Sequence, residues 1–179
     1  MSVLVVAALA AEAARVPDGL DVVVTGLGKT AAAVAVTAAL CGRDREGLAV
    51  VNIGTAGALR DGLDGLHEIG TVLNHDINAD VLRSLGVDPH EVIELGRPGA
   101  VLASGDLFVH NPVDKARLAE RADLVDMEGY AVAYAGRHFD VPVRLVKHVS
   151  DNADGTALDW PAALDRSARA LGAWLEENL

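Results

Sequence analysis

Two short segments of the chain combine the residue types that acid–base catalysis requires. Asp126 and Glu128 lie on either side of Met127, where a predicted strand gives way to a helix, and Ser150 precedes Asp151 after another apolar run. Carboxyl groups in different environments can divide proton donation and proton acceptance between them. Each segment also has a purely structural interpretation, because Asp126 suits a helix N-cap and Asp151 suits an acid-rich turn.

Two glycine-containing turns are further candidates for ligand contact. Residues 25–31, TGLGKTA, follow a predicted strand and open a helix, so they match the Gly-x-Gly-x-x-Ala pattern of dinucleotide-binding turns. A plain strand-to-helix turn explains that match equally well. Residues 54–57, GTAG, place the Thr55 hydroxyl directly after a buried strand, between glycines that let the backbone approach a ligand.

Composition limits the possible partners. The net charge is −11, and the 15 Lys and Arg residues are scattered along the chain. Nucleic acids and anionic membranes attract clustered cations, so we expect neither as a partner and favour a neutral or cationic small molecule. The six histidines lack the spacing of metal ligands, so no metal is expected. With a single cysteine and no apolar run of membrane-spanning length, we expect a cytoplasmic protein.

The elements that would hold these residues alternate between strand and helix. Continuous apolar runs predict strands buried on both faces, and alanine-rich or amphipathic segments predict helices. The predicted strands are Val3–Ala8, Asp21–Thr25, Ala49–Ile53, Ile69–Leu73, Val101–Ala103, Leu124–Asp126 and Val143–Val149. The predicted helices are Lys29–Cys41, Asn78–Leu85, Pro112–Arg121, Glu128–Phe139 and Pro161–Asn178, with a single helical turn over Glu12–Val16.

This alternation predicts a mostly parallel sheet that helices cover on both sides. We therefore expect an α/β fold, a three-layer α/β/α sandwich with a twisted, mostly parallel central sheet, built as one domain over residues 1–179. Ligand sites in such sheets form at the carboxyl ends of the strands, where this chain places its polar residues. The acids and the glycine turns should therefore meet along that edge.

Five segments form a series in this order and spacing: GLGK, NIGTAGAL, SGDLF, VDMEGYAVAYA and VPVRLVKHVSDNAD. The series resembles the methylthioadenosine/S-adenosylhomocysteine nucleosidases of the purine nucleoside phosphorylase superfamily, from about residue 3 to residue 154. The resemblance implies a nucleoside phosphorylase/hydrolase-like fold and hydrolysis of the N-glycosidic bond of methylthioadenosine, S-adenosylhomocysteine or a related 6-aminopurine nucleoside. It also implies a homodimer or larger homo-oligomer that needs no cofactor.

The resemblance assigns the three acids to separate steps of the cleavage. Asp151 matches the general acid that delivers a proton toward N7 of the purine, and Ser150 would orient it. Glu128 matches the glutamate that hydrogen-bonds the ribose hydroxyls and favours a cationic ribosyl group. Glu12 matches the base that activates the attacking water.

Further matching residues would contact the substrate. Met127 would pack against the sugar and the base. Phe108 and Val109 match the segment that holds the purine, where an aromatic ring stacks on the base and backbone groups meet its edge. Together with Thr55, these residues complete the predicted binding set.

The choice between water and phosphate as the nucleophile depends on cations. Phosphate needs a cationic clamp, usually arginine, and many purine phosphorylases carry one just ahead of the turn that corresponds to residues 54–57. Residues 51–53 read VNI here, which favours water, although Lys29 or Lys147 can still supply charge from elsewhere. A phosphate-dependent purine nucleoside phosphorylase therefore stays open beside the hydrolase.

Three departures from the family pattern bear on specificity. Residues 14–21 and 76–99 are shorter than is usual, and Lys147 stands where nucleosidases often have arginine. These departures leave the 5′ substituent of the substrate open. The sequence is also compatible with a catalytically weak adenine-nucleoside-binding domain and, from residues 25–31 alone, with an NAD-linked enzyme.

Overall fold

Eight strands and five α-helices form the computed structural model, which describes residues 2–179. The strands are β1 (Ser2–Ala7), β2 (Asp21–Val24), β3 (Leu48–Ala58), β4 (Leu66–Asn74), β5 (Val92–Glu94), β6 (Ala100–Ser104), β7 (Leu124–Asp126) and β8 (Val143–Asp151). The helices are α1 (Lys29–Cys41), α2 (Ala79–Ser84), α3 (Pro112–Ala119), α4 (Gly129–His138) and α5 (Trp160–Asn178), and a 3₁₀ turn over Gly155–Asp159 precedes α5. Within these described residues, no helix combines the length and the apolarity needed to cross a membrane.

The strands pair into one mixed sheet. β1, β2, β3 and β8 run in one direction, with β1 between β2 and β3, and with β8 beside β3. β4, β6 and β7 run in the opposite direction, so β7 is antiparallel to β3 and β4 is antiparallel to β8. The pairings from β3 through β7, β6, β4 and β8 return to β3 and close a circuit of five strands. The expected α/β class is confirmed, with two parallel groups joined through antiparallel pairs.

The central strands are buried on both faces, as their apolar runs predict. Along β1, Leu4 and Val6 belong to the cluster that contains the buried face of α1 and α4. Val5 and Ala7 belong to a second cluster, which packs against Leu171 of α5. Because successive side chains of a strand point to opposite faces, β1 requires cover on both sides and receives it from these helices.

Several element boundaries differ from the predicted ones in ways that matter for the site. β3 continues past Ile53 to Ala58, through the whole of the GTAG segment, so this segment belongs to a strand and not to a turn. Hydrogen-bonded turns span residues 10–15, so the single helical turn predicted over Glu12–Val16 begins earlier than expected. α5 begins at Trp160, one residue before the predicted Pro161.

Candidate active site

One cavity of about 210 Å³ brings together residues from widely separated parts of the chain. The loop after β1, the second half of β3, the segments after β6 and β7, and the end of β8 all contribute to its wall. All eight site residues predicted from the sequence line it: Glu12, Thr55, Phe108, Val109, Met127, Glu128, Ser150 and Asp151. The three predicted acids therefore face one shared space.

β7 delivers its acidic residues from the direction opposite to β1 and β8. It pairs antiparallel with β3, which places Val125 opposite Gly57 and carries Asp126 alongside the interior of β3. The ladder between β3 and β8 shifts register after Ala56, so that Asp151 also pairs with Gly57. Glu128 and Asp151 lie at the carboxyl ends of their strands, as expected, but the strand before Glu128 is antiparallel to β3 whereas the strand that ends at Asp151 is parallel to it.

Glu12 is buried and is held by three hydrogen bonds. Its Oε1 accepts from the Thr55 amide at 2.8 Å and from the Thr55 hydroxyl at 2.9 Å, and its Oε2 accepts from the Leu9 amide at 3.1 Å. The turn after β1 brings Leu9 into reach, and the extension of β3 brings Thr55. Gly54 lies so close that a Cβ there would be 3.3 Å from Glu12 Oε1, so a larger residue would crowd the carboxylate.

Glu128 is equally buried but has fewer donors. It is the N-cap residue of α4, and its Oε1 accepts a 2.7 Å hydrogen bond from the Gly28 amide. Burial raises the pKa of Glu128 to about 7, and the charge of Asp126 adds to this effect, whereas Lys147 and the Gly28 hydrogen bond oppose it. Glu128 can therefore exchange a proton near neutral pH.

Lys147 is the one cation among the described residues that line the cavity. Its ammonium is fully buried, 2.8 Å from Asn52 Oδ1 and 2.9 Å from Asp126 Oδ2. Burial lowers the pKa of Lys147, but the charges of Asp126 and Glu128 outweigh burial, and the pKa lies above its ordinary value. Asp126, which also accepts a hydrogen bond from Ser104, compensates this charge directly.

Asp151 lies at the end of β8 and is oriented by its neighbours. The Ser150 hydroxyl donates to its Oδ2 at 2.7 Å, and the Ala153 amide donates to its Oδ1 at 2.8 Å. A Cβ at Gly57 would lie 3.0 Å from the same Oδ1, so the glycine leaves room for this carboxyl group. The predicted pairing of Ser150 with Asp151 is present.

An apolar side completes the cavity. Phe108, Leu107 and Leu27 line it while remaining between 40% and 54% exposed, whereas Val109 is buried. Met127 is half-buried between the two acids that flank it in sequence. A planar apolar ligand can therefore rest against this side while its polar edges meet the acids.

The glycine turn that opens α1 has its amides occupied by protein carboxylates. The Gly28 amide donates to Glu128, and the Lys29 amide donates to Asp106 Oδ1 at 2.7 Å. The Lys29 ammonium is paired with Asp76. A dinucleotide-binding turn presents such amides to pyrophosphate, so the interpretation of this turn as an NAD site loses its basis.

The sequence patterns do not single out several residues that line the cavity, above all Trp160 and Asn52. Trp160 is one of two tryptophans in a chain with only 3% aromatic residues, and it directly precedes Pro161 at a predicted helix start. That scarcity is a signal that could have singled it out as a candidate. Asn52 lies inside the NIGTAGAL segment, but an amide within an apolar strand carries no signature of its own.

The mixed α/β fold and the acid-lined cavity agree with what a family comparison finds. Residues 79–177, more than half of the chain, match the Phosphorylase superfamily. The chain therefore belongs to the Phosphorylase superfamily.

Several curated relatives of the chain carry the names of nucleosidases. An aminodeoxyfutalosine nucleosidase from Helicobacter pylori is 34% identical over 106 residues, which cover 58% of this chain and 44% of the relative. A 5′-methylthioadenosine/S-adenosylhomocysteine nucleosidase from Arabidopsis thaliana is 34% identical over 143 residues, which cover 73% of this chain and 56% of the relative. The chain thus spans about half the length of these relatives.

Solved structures of similar fold cover nearly the whole chain. A futalosine hydrolase mutant from Helicobacter pylori superposes with a TM-score of 0.84 at 23% identity, covering 98% of this chain and 97% of that one. The 5′-methylthioadenosine/S-adenosylhomocysteine nucleosidase of the same organism, in complex with a substituted pyrrolidin-3-ol, gives a TM-score of 0.81 at 22% identity, covering 99% of this chain and 97% of that one. At these identities the likeness establishes a shared fold.

Proposed function

We propose that this chain is a purine nucleosidase, an N-glycosyl hydrolase that acts on methylthioadenosine, S-adenosylhomocysteine or a related 6-aminopurine nucleoside. The observation that carries the proposal is the convergence of Glu12, Glu128 and Asp151 on one cavity. A mere binding site for a neutral nucleoside has no need of three buried or half-buried acids. The names of the nucleosidase relatives support the same reaction class.

In the proposed reaction each acid has one task. The C1′–N9 bond breaks with its electron pair leaving on the purine, which receives a proton at N7 from Asp151. The oxygen of water bonds to C1′, and Glu12 takes one of the water protons. Glu128 holds the ribose hydroxyls and stabilises the positive charge that develops on the sugar. The products are the free purine and the free sugar.

The remaining predicted residues hold the substrate in this proposal. Phe108 and Val109 hold the purine, Met127 packs between base and sugar, and Ser150 keeps Asp151 directed at the base. Support comes from their shared position on the cavity wall, with the apolar side opposite the acids. No cofactor or metal takes part.

The charges around the cavity favour water over phosphate. Among the described lining residues, the carboxyl groups of Glu12, Asp126, Glu128 and Asp151 stand against the single ammonium of Lys147. That ammonium is already paired with Asp126, and Lys29 is paired with Asp76. A phosphate dianion would therefore enter a net negative and poorly solvated cavity whose lysine is already committed, which is costly.

The proposal extends to the layering of the fold, the assembly of the protein and its location. Helices cover the mostly parallel part of the sheet on both faces in three layers, which is supported by the separate clusters on the two sides of β1. The protein is a homodimer or larger homo-oligomer, whose neighbouring copy would shield exposed Leu27, Leu107 and Phe108. It works in the cytoplasm on a small molecule, without nucleic acid or membrane.

The direct test is incubation with methylthioadenosine, S-adenosylhomocysteine, aminodeoxyfutalosine and adenosine in phosphate-free buffer, followed by chromatography of the free base. We expect base release without phosphate and loss of turnover in the Asp151→Asn variant, which should still bind ligand. A strict phosphate requirement with formation of ribose 1-phosphate would replace hydrolysis by phosphorolysis. Tight adenine binding without turnover of any nucleoside would identify a binding domain instead.

A further inference from the structure

Trp160 reaches the proposed general base through one intermediate residue. Its indole Nε1 lies 2.9 Å from Thr55 Oγ1, and Thr55 Oγ1 lies 2.9 Å from Glu12 Oε1. The three residues come from the start of α5, the interior of β3 and the loop after β1. All three line the same cavity. The contact therefore joins the C-terminal helix to the acid that would activate water.

Hydrogen-bond chemistry fixes the direction of this chain of contacts. An indole N–H is only a donor, so Trp160 must donate and the Thr55 oxygen must accept. The single hydroxyl hydrogen of Thr55 is then directed to Glu12. A hydroxyl that accepts a hydrogen bond is also a stronger donor, so the Trp160 contact strengthens the contact to Glu12.

The same contacts distinguish the two oxygens of Glu12. Oε1 accepts from both the amide and the hydroxyl of Thr55, which uses its two lone-pair directions. Oε2 accepts from the Leu9 amide and keeps one lone-pair direction. The oxygen with remaining capacity is therefore Oε2, and rotation of the carboxylate would exchange the two roles.

We infer that Trp160 is a positioning residue, which acts through Thr55 to hold Glu12 with Oε2 directed at the attacking water. This inference rests on the proposed nucleosidase function. A phenylalanine at this position would fill similar space but could not donate, so the indole N–H and not the ring is the operative group. The role also explains why the first residue of α5 lines the cavity.

The first measurement is the rate of adenine release by Trp160→Phe. We expect kcat to fall about fivefold to tenfold, the loss associated with one hydrogen bond, while KM changes less than about twofold. Trp174→Phe is the matched control, because Trp174 packs over the Arg144 guanidinium away from the cavity, and should behave as wild type. A rise in KM at unchanged kcat would assign the ring to substrate contact and overturn the role.

The second measurement is a double-mutant cycle with Thr55. In a Thr55→Val background the hydroxyl link is absent, so adding Trp160→Phe should lower kcat no further. In a Thr55→Ser background the hydroxyl is present, so adding Trp160→Phe should lower kcat by the same factor as in the wild type. Multiplicative effects of Trp160→Phe and Thr55→Val would overturn the inference while leaving the nucleosidase proposal intact. A wild-type protein without turnover of any nucleoside would overturn both.

The indole N–H signals in an NMR spectrum provide a readout that does not depend on activity. The chain has two tryptophans, so two indole signals are expected. The Thr55→Val substitution should shift the Trp160 signal and speed its exchange with solvent, with no change at Trp174. An unchanged Trp160 signal would contradict the contact itself.

Discussion

The surroundings of Glu12 and Glu128 stabilise a buried carboxyl group in different ways. Glu12 receives three hydrogen bonds from Thr55 and Leu9, whereas Glu128 receives one from Gly28 and lies beside the charge of Asp126. Both side chains are less than a tenth exposed. The two carboxyl groups therefore differ in the number of hydrogen-bond donors around them, not in their burial. Glu12 is held in one orientation, whereas Glu128 keeps acceptor capacity that ligand hydroxyls could use.

The largest expected effect comes from replacing each glutamate by glutamine. Glu12→Gln removes the proposed base and should lower kcat by about 10²- to 10⁴-fold with little change in KM. Glu128→Gln should raise KM as well, because its partner hydroxyls are bound before the bond breaks. Steady-state kinetics of base release measure both. Equal changes of kcat and KM in the two variants would contradict the different roles of Glu12 and Glu128.

Lys147→Met should have the next largest effect, on stability. Removal of the ammonium leaves Asp126 and Glu128 without compensation in a buried site, which should lower the free energy of unfolding by about 3–5 kcal/mol. Lys115→Met is the matched control, since its partner Asp61 is exposed and such a pair contributes at most about 1 kcal/mol.

Urea denaturation of both variants measures the difference. Asp126→Asn introduced into Lys147→Met should restore part of the loss, because it removes one of the uncompensated charges. Equal stability losses for the two lysine variants would contradict the burial of this charge.

The pH dependence of the free energy of unfolding tests the surroundings of Glu128 separately from those of Glu12. Its folded pKa of about 7 lies above the ordinary 4.5, so the native state binds the extra proton. The resulting stability is fully present below about pH 4.5 and is lost as the pH rises through about 7, a change of about 3 kcal/mol. Glu128→Gln should remove this part of the slope, whereas the exposed Glu176→Gln should not. Parallel profiles for wild type and Glu128→Gln, measured by urea denaturation from about pH 5 to about pH 8, would contradict the raised pKa.

The smallest expected effect comes from alanine at Gly28. Gly28 has φ +90°, and a Cβ would lie 3.0 Å from Asp106 Oδ1. With ψ of 159° this conformation is nearly restricted to glycine, so alanine should cost about 1–3 kcal/mol of stability, and displacement of the amide from Glu128 should raise KM severalfold. Gly19 also has φ +90° but has no atom within 4 Å of its Cβ position, so Gly19→Ala should show the strain without the KM effect. A normal KM in Gly28→Ala would separate this turn from the site.

Local sequence patterns predict much of the fold because they depend on short-range periodicity. The alanine-rich helix is present over its predicted bounds, Lys29–Cys41, and the two-sided burial of β1 follows its apolar run. The candidate site residues are predicted differently, from the series of segments around Glu128 and Asp151 that resembles the nucleosidases, and their roles stay a prediction. The single helical turn predicted over Glu12–Val16 is present slightly earlier, over residues 10–15, where the Ala13 amide donates to the Leu9 carbonyl four residues before it.

What the sequence alone determined is therefore the α/β class, most of its elements and the acids at their ends. Only the tertiary structure decided that β7 enters antiparallel to β3, that five strands close into a circuit, and that Lys147 is buried against Asp126. The same holds for Trp160, which meets Thr55 across 105 residues of chain. Strand direction and long-range contacts follow from the packing of the whole sheet, and no local pattern of side chains specifies them.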